Sequence, residues 1–174
     1  EVAKLKGFGE KSQQKILQAL ELKQTYRGKL RLDAAGRLAA EVMQALLAES
    51  VCQRIETAGS LRRKNPVVNN INFVAAAADE ERFISALRQI PGAMQAVKNS
   101  AQCIVLRLEN GTPLYFHLTG AGEFAAALFL QTGSASHIAA LKSLEPEAAV
   151  FAARSGAEGA DLDSEQEIYN ALGM

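Results

Sequence analysis

The segment AGSLRRKNPVVNNINFVAAA, residues 58–77, joins a glycine-serine turn and a basic loop to a hydrophobic run. Gly59 permits a sharp turn after a strand, Ser60 and nearby backbone amides can bind a phosphate oxygen, and Arg63 can clamp it with two N–H donors. Such a basic run also occurs in ordinary solvated loops. The apolar residues that follow favour the phosphate site, because they predict a strand at 67–77 directly after the loop.

The polar positions of that predicted strand are asparagines. Asn70 and Asn72 are two residues apart, so in a strand they point to the same face. Two carboxylates at this spacing could share a divalent cation, whereas amide oxygens carry no charge to offset it. The segment therefore has the form of a phosphate-handling enzyme but lacks the anions that such an enzyme needs.

The charge of the chain is unevenly distributed. Nineteen basic and nineteen acidic residues cancel over 174 residues. Residues 1–64 hold 13 Lys or Arg and 7 Asp or Glu, whereas residues 65–174 hold 6 and 12. We expect a polyanion such as DNA to bind the basic N-terminal part.

The composition also limits location and redox chemistry. No stretch approaches the roughly 18 to 20 uncharged apolar residues of a membrane span, and the first residues, EVAK, form neither a signal peptide nor an initiator Met. We expect a cytoplasmic protein with no membrane partner, cut from a longer chain. Cys52 and Cys103 lack the spacing of metal ligands, which predicts buried reduced thiols.

The N-terminal segment LKGFGEKSQQKILQALE, residues 5–21, predicts a glycine turn before a basic helix, with Ser12 as its cap. Backbone N–H groups in such a turn can approach a DNA phosphate, although the turn also has a purely structural explanation. The candidate DNA contacts are Gly7, Gly9, Lys11 and Lys15. The apolar positions of the helix are Ile16, Leu17, Leu20 and Leu22.

The remaining patterns predict an α+β protein with a mostly antiparallel sheet. The predicted elements are a helix capped by Asp33, strands at 52–58 and 67–77, a helix at 79–90, a hairpin over 102–119 turning at Asn110 and Gly111, helices at 122–131 and 134–144, and a capping box from Ser164 to Glu167.

In this order, the segments resemble the family X DNA polymerases, the group of polymerase beta and of bacterial enzymes with an additional C-terminal phosphoesterase domain. The similar segments are 5–17 (second helix-hairpin-helix), 58–74 (GS-x-RR…D-x-D), 111–118 (third-aspartate strand), 128–142 (nucleotide pocket) and 161–174 (end of the thumb). The resemblance implies a helix-hairpin-helix at 1–28, a nucleotidyltransferase palm at 29–121 and a reduced thumb-like subdomain at 122–174. It also implies gapped or primer-template DNA and a nucleoside triphosphate as partners.

The chain departs from this family at the metal-binding positions. The family's three aspartates correspond to Asn70, Asn72 and Tyr115. In the family those carboxylates hold Mg²⁺ or Mn²⁺ for nucleotide transfer. Because an amide and a phenol are neutral at pH 7, we expect no metal or other cofactor to bind strongly and no intact catalytic residue.

The nucleotide pocket is changed as well. Leu130 and Gln131 replace the family's Tyr-Phe pair beside the sugar, and Ile138 replaces an Asn that meets the base. His117 corresponds to a family Arg and is expected to be an ordinary strand residue, and His137 to be a surface residue or a phosphate contact. The positions that still match the family's phosphate contacts and turn are Gly59, Ser60, Arg63 and Gly133.

Sequence and resemblance together predict the DNA-binding core of a repair-type polymerase with lost or strongly reduced nucleotide transfer. Two alternatives stay open at this stage. One is an active polymerase that works with Mn²⁺, which accepts mixed nitrogen and oxygen ligands better than Mg²⁺. The other is a non-catalytic scaffold that positions DNA for a phosphoesterase or nuclease domain outside this chain.

Overall fold

A computed structural model describes residues 10–26, 28–144, 167, 168 and 170. The helices are α1 (Glu10–Tyr26), α2 (Leu32–Ala48), α3 (Gly59–Arg62), α4 (Glu80–Leu87), α5 (Phe124–Thr132) and α6 (Ala135–Leu144). The strands are β1 (Leu30–Arg31), β2 (Arg54–Ala58), β3 (Val67–Val68), β4 (Ile71–Ala76), β5 (Ala93–Ser100), β6 (Cys103–Leu108) and β7 (Pro113–Thr119).

Five of the strands form one mixed sheet in the order β2-β4-β7-β6-β5. Three of its pairings are antiparallel, and the central pair β4 and β7 is parallel. In that pair Asn72 lies beside Tyr115 and Phe73 beside Phe116. The two short strands β1 and β3 form a separate antiparallel pair. The sheet therefore agrees with the predicted α+β class, and the prediction of mostly antiparallel pairing is confirmed.

One face of the sheet carries the main hydrophobic core. Phe73 and Phe116 stack across the central strand pair with their ring centroids 4.8 Å apart, and the Phe83 ring of α4 meets Phe116 edge-on at 5.6 Å. All three rings are fully buried. Helix α2 contributes Val42 and Leu46 to the same cluster. This face is apolar because successive strand residues alternate between the two sides of the sheet.

Among the described residues, the opposite face is covered in part, by α5. Phe124 and Leu128 of α5 pack on Val74 and Ala76 of β4, and the guanidinium of Arg54 lies 4.3 Å from the Phe124 ring centroid. On the two central strands this face also carries polar side chains, Asn72 on β4 and both Tyr115 and His117 on β7. The sheet thus presents polar side chains at the edge of α5.

Several sequence predictions are confirmed. The hairpin of β6 and β7 turns where Gly111 has a φ of +86°, a conformation that glycine adopts without strain, and Asn110 Oδ1 accepts a 2.8 Å hydrogen bond from the Thr112 amide. The helix predicted at 79–90 corresponds to α4, and its cap is Asp79, which accepts from the Arg82 amide at 2.9 Å and was not predicted as a cap. Cys52 and Cys103 are free and buried, and burial raises the pKa of the Cys52 thiol.

Other predictions at element boundaries are wrong. Asp33 lies inside the first turn of α2, whose cap position is Arg31, and Ser12 lies inside α1 rather than before it. In the predicted strand at 67–77, residues 69–70 form a bend between β3 and β4, so Asn70 precedes the strand. These errors arise because backbone pairing with distant segments, such as Leu30 with Val68, sets the boundaries.

Further predictions lie outside the described residues. These include the turn at Gly7 and Gly9 and the start of the capping box at Ser164. The division into 1–28, 29–121 and 122–174, the helix-hairpin-helix and the specific palm arrangement stay predictions. Within the described part of the chain, no single helix has the length and hydrophobicity to cross a membrane; α5 and α6 up to Ser143 meet those criteria only as a pair, which is bent by 116°.

We expect Phe116→Ala to destabilise the protein by about 3–5 kcal/mol, because the substitution removes a fully buried ring and leaves a cavity between Phe73 and Phe83. Chemical denaturation followed by circular dichroism would measure the change. Val97→Ala, at a side chain that is 46% exposed, serves as the control and should stay within about 0.5 kcal/mol. A loss below about 1 kcal/mol for Phe116→Ala would contradict the assigned core.

Candidate functional site

A cleft of about 710 Å³ lies between α3, the start of β4, the end of α5 and α6. We call it the α3–α6 cleft. It gathers most of the predicted site residues, namely Gly59, Ser60, Arg63, Asn70, Asn72 and Gly133. It is formed because α3 follows β2 at the sheet edge, while α5 crosses the sheet and turns into α6. Residues more than 60 positions apart in sequence thus line one cavity.

Close backbone packing requires glycine at position 59. Gly59 has a φ of +62°, in the left-handed region that favours glycine, and a Cβ added there would lie 2.8 Å from Asn72 Nδ2. Its glycine turn therefore brings the α3 backbone directly against the Asn72 side chain. The turn and the strand were predicted separately, and their contact follows from the pairing of β2 with β4, in which Ala58 lies beside Asn72.

The two arginines of the segment have different contacts. Arg63 lines the cleft, and its Nη1 donates a hydrogen bond to the backbone carbonyl of Thr132 at the end of α5. Arg62 instead pairs with Glu56, with 2.9 Å between Nη1 and Oε2, and Glu56 also pairs with Arg54. Arg63 is consequently the arginine of the pair that presents its charge to the cleft.

Asn70, Asn72 and His117 form a hydrogen-bonded row, which includes two of the three positions where the resemblance implies aspartates. Asn72 Nδ2 donates to Asn70 Oδ1 at 2.8 Å, and Asn72 Oδ1 lies 3.4 Å from His117 Nε2. The side chains of Asn70 and Asn72 therefore converge as predicted, although Asn70 lies in the bend before the strand. The contact of His117 with this row goes beyond the expectation of an ordinary strand residue.

Tyr115 does not line the α3–α6 cleft with Asn70 and Asn72 but a neighbouring cavity. It lies beside Asn72 in the register of β4 and β7 but lines a second cleft of about 390 Å³, which we call the β7 cleft. Leu130 and Gln131 line both clefts and form the wall between them. Asn72 and Tyr115 are neighbours on the sheet and Asn70 lies in the bend before β4, but the structure does not bring Tyr115 into the cleft of the two asparagines.

The β7 cleft also contains residues that the sequence did not indicate. His117, Cys103 and Glu123 line it together with Tyr115. Glu123 accepts a hydrogen bond from Thr119 Oγ1 at 3.3 Å. Burial raises the pKa of the Cys103 thiol, although a hydrogen bond with Asn99 opposes this, so the thiol is neutral near pH 7. No short motif marked Glu123, because it follows β7 in a connecting segment.

The residues present do not fit the divalent metal that the resemblance implies. Asn70 Oδ1 is occupied by the amide of Asn72, and Asn72 Oδ1 faces His117. Hard cations such as Mg²⁺ prefer anionic oxygen, and neither asparagine carries a charge. Within the described residues, no cluster of three His, Cys, Asp or Glu side chains is placed to hold a metal ion. Glu123 is a single carboxylate in the other cleft.

The turn between α5 and α6 closes the cleft. Gly133 ends α5, and a Cβ there would lie 2.4 Å from Ile138 Cδ1, so the turn packs tightly on α6. Ser134 Oγ accepts from the His137 amide at 3.2 Å and caps α6. The His137 side chain is exposed and meets the Phe129 ring edge-on at 6.4 Å, which agrees with a surface position.

Three lining residues extend the predicted set. Asn65, Asn69 and Lys142 also line the α3–α6 cleft. Lys142 comes from the last turns of α6, and only the tertiary structure brings it into the same cleft as Arg63. In the sequence, Lys142 was marked only as the last residue of the segment 128–142, which resembles the family's nucleotide pocket.

The predicted DNA contacts on α1 are separate from the cleft. Lys11 and Lys15 are exposed on this helix. Its predicted apolar face is also exposed, by 36% at Ile16, 50% at Leu17 and 51% at Leu20. Helix α1 therefore presents both charge and apolar surface to solvent among the described residues.

Comparison with known proteins gives one informative similarity. No protein-family model matches the chain. The chain is 26% identical over 178 residues to the DNA polymerase/3'-5' exonuclease PolX of Bacillus subtilis (strain 168), an alignment that covers 98% of this chain. The chain spans 31% of that relative's length. This similarity supports a relationship with the family X polymerases at the level of the family.

We expect Gly59→Ala to destabilise the protein by about 1–2 kcal/mol, because alanine is strained at a positive φ and its methyl group would displace Asn72. The matched control is Gly36→Ala in α2, where an added Cβ meets nothing within 4 Å. That control should stabilise the helix by about 0.5–1 kcal/mol. Thermal denaturation of both variants would compare them, and equal shifts would contradict the close contact at Gly59.

Proposed function

We propose that this chain is the DNA-binding core of a family X-type repair polymerase in which metal-dependent nucleotide transfer is lost or strongly reduced. The similarity to Bacillus subtilis PolX along nearly the whole chain supports the polymerase relationship. The arrangement of the α3–α6 cleft supports the loss of transfer. DNA, gapped or in primer-template form, is the proposed partner, and a nucleoside triphosphate is the proposed small ligand.

One observation carries the proposed loss of activity. Asn70 and Asn72, at the start of β4, hydrogen-bond to each other where the resemblance requires carboxylates, and Asn72 also contacts His117 of β7. Transfer of a nucleotidyl group needs strong electrostatic stabilisation of the developing charge on the phosphate. Neutral amides that hydrogen-bond to one another supply no anionic site for the cations that provide it in the family.

The proposed DNA contact lies on α1 and the basic N-terminal part of the chain. Lys11 and Lys15 are exposed and close together on one helix, as residues four apart are. Lysines at such positions contact the phosphate backbone and carry no sequence information. Binding at this helix would hold DNA without reading its bases.

A second candidate function is a scaffold that positions DNA for another domain. The observation that favours it is the length of the relative, of which this chain spans 31%, together with the exonuclease activity in that relative's name. In this version a C-terminal phosphoesterase domain of the full-length protein acts on DNA that the present chain holds. A cytoplasmic location is part of both proposals.

We expect no template-dependent extension of a gapped DNA primer by the chain with Mg²⁺, because the anionic ligands are absent. Gel electrophoresis of a labelled primer would measure this, with Bacillus subtilis PolX as the positive control. Extension clearly above the level without protein would contradict the proposed loss. Extension with Mn²⁺ alone would instead support the Mn²⁺-dependent polymerase.

We expect duplex DNA binding to weaken with salt, with a slope of about −0.9 in log K against log salt for each phosphate contact. Charge removal in Lys11→Gln/Lys15→Gln should weaken binding and make this slope shallower by roughly 1 to 2. Fluorescence anisotropy at several salt concentrations would measure both effects.

The matched control removes two exposed cations elsewhere, in Arg88→Gln/Lys98→Gln, at the end of α4 and on β5. This control carries the same change in net charge. If both double variants weaken DNA binding equally, overall charge and not α1 governs the affinity, and the assigned contact is wrong.

A further inference from the structure

We infer that the α3–α6 cleft binds a small oligophosphate directly through cationic and N–H or O–H donors, and that this binding requires no divalent metal ion. The inference deepens the proposed function, since it rests on the same loss of carboxylates. It goes beyond that function because it assigns a ligand: without carboxylates, the cleft is a binding site for an anion and not only an inactive metal site.

The charge of the cleft favours an anion. Among the described residues that line it, Arg63 and Lys142 are cationic and none is a carboxylate. Glu56, seven residues before Arg63, is already paired with Arg54 and Arg62. Among these described lining residues, an oligophosphate therefore meets two positive charges and no negative one.

The neutral side chains of the cleft also supply donors. Among the described residues, neither Ser60 Oγ nor Asn70 Nδ2 has a protein hydrogen-bond partner. Arg63 Nη1 donates a hydrogen bond to the Thr132 carbonyl, which fixes the guanidinium. Its other N–H groups remain as donors for a ligand. Hydrogen bonds from a charged guanidinium to phosphate are short and strong.

The hydrogen bond between the two asparagines determines which atoms a ligand meets. Because Asn72 Nδ2 donates to Asn70 Oδ1, the oxygen of Asn70 is engaged and its amide nitrogen remains for a ligand. With aspartates at both positions, the same place would carry two negative charges and would repel a phosphate unless a cation lay between them. Asparagine thus reverses the preference of the site, from cations to anions.

The size of the cleft indicates a small ligand. Its volume of about 710 Å³ falls in the range of roughly 300–1,000 Å³ that is typical of small-molecule sites. The turn at Gly133 and Ile138 of α6 line one side of this cleft, and α3 lines the other. We therefore assign the cleft to a free oligophosphate such as the triphosphate of a nucleotide, and DNA to α1.

The test is isothermal titration of the whole chain with sodium tripolyphosphate, first in chelator and then with excess Mg²⁺. We expect binding in chelator. Added Mg²⁺ should leave the affinity unchanged or weaken it, because the cation neutralises charge on the ligand that Arg63 and Lys142 would otherwise attract. A parallel titration with a nucleoside triphosphate would distinguish a site for nucleotides from a site for oligophosphate alone, and either ligand supports the inference.

Two variants make the assignment specific to the cleft. Lys142→Gln, at an exposed position, should weaken binding in chelator by about threefold to tenfold, whereas the control Lys98→Gln should leave it unchanged. The double variant Asn70→Asp/Asn72→Asp should weaken metal-free binding by at least about tenfold and make it respond to Mg²⁺. Circular dichroism checks the folding of each, and Lys142→Gln alone decides the case if the double variant does not fold.

The outcomes separate this inference from the proposed function. No tripolyphosphate binding in chelator, with DNA binding intact and no primer extension, overturns the inference and leaves the proposed function standing. Binding that requires Mg²⁺ overturns the inference and also argues against the proposed loss of the metal site. Equal weakening by Lys142→Gln and Lys98→Gln would show attraction to net charge alone, which overturns the assignment to this cleft.

Discussion

The parallel pairing of β4 with β7 is the constraint on which the rest of the structure depends. It places Phe73 beside Phe116 on one face, where their stacked rings form the centre of the core. The same register places Asn72 beside Tyr115 on the other face. Because side chains alternate along both strands, a slip of one residue would bury the polar pair and expose the rings. Packing of the core therefore fixes the position of the candidate site.

Helix α5 determines how that polar face is used. It covers Val74 and Ala76 through Phe124 and Leu128, and its last turn carries Leu130 and Gln131 into the wall between two clefts. As a result, adjacent residues of one sheet face enter different surroundings: Asn72 faces α3 and α6, whereas Tyr115 faces Cys103 and Glu123. Two neighbouring sites with different chemistry follow from the placement of one helix.

The electrostatics of the α3–α6 cleft agree with a site that has changed its ligand preference. A cleft with Arg63 and Lys142, without a carboxylate among its described lining residues, attracts phosphate but does not gather cations. The hydrogen bond from Asn72 to Asn70 holds the two neutral amides in one arrangement. Affinity for phosphate and capacity for metal-dependent chemistry are thus separate properties of the same cleft.

The sequence by itself determined the α+β class, the hairpin at Gly111 and the helix that follows Asp79, since each depends on local pattern. The tertiary structure decided what depends on distant segments. It interrupted the predicted strand at 67–77 with a bend at residues 69–70, placed Lys142 in the same cleft as Arg63, and separated Tyr115 from the asparagines by Leu130 and Gln131. Local sequence carries periodicity and turn chemistry, but the neighbours of a side chain across a cleft are fixed only when separate elements pack together.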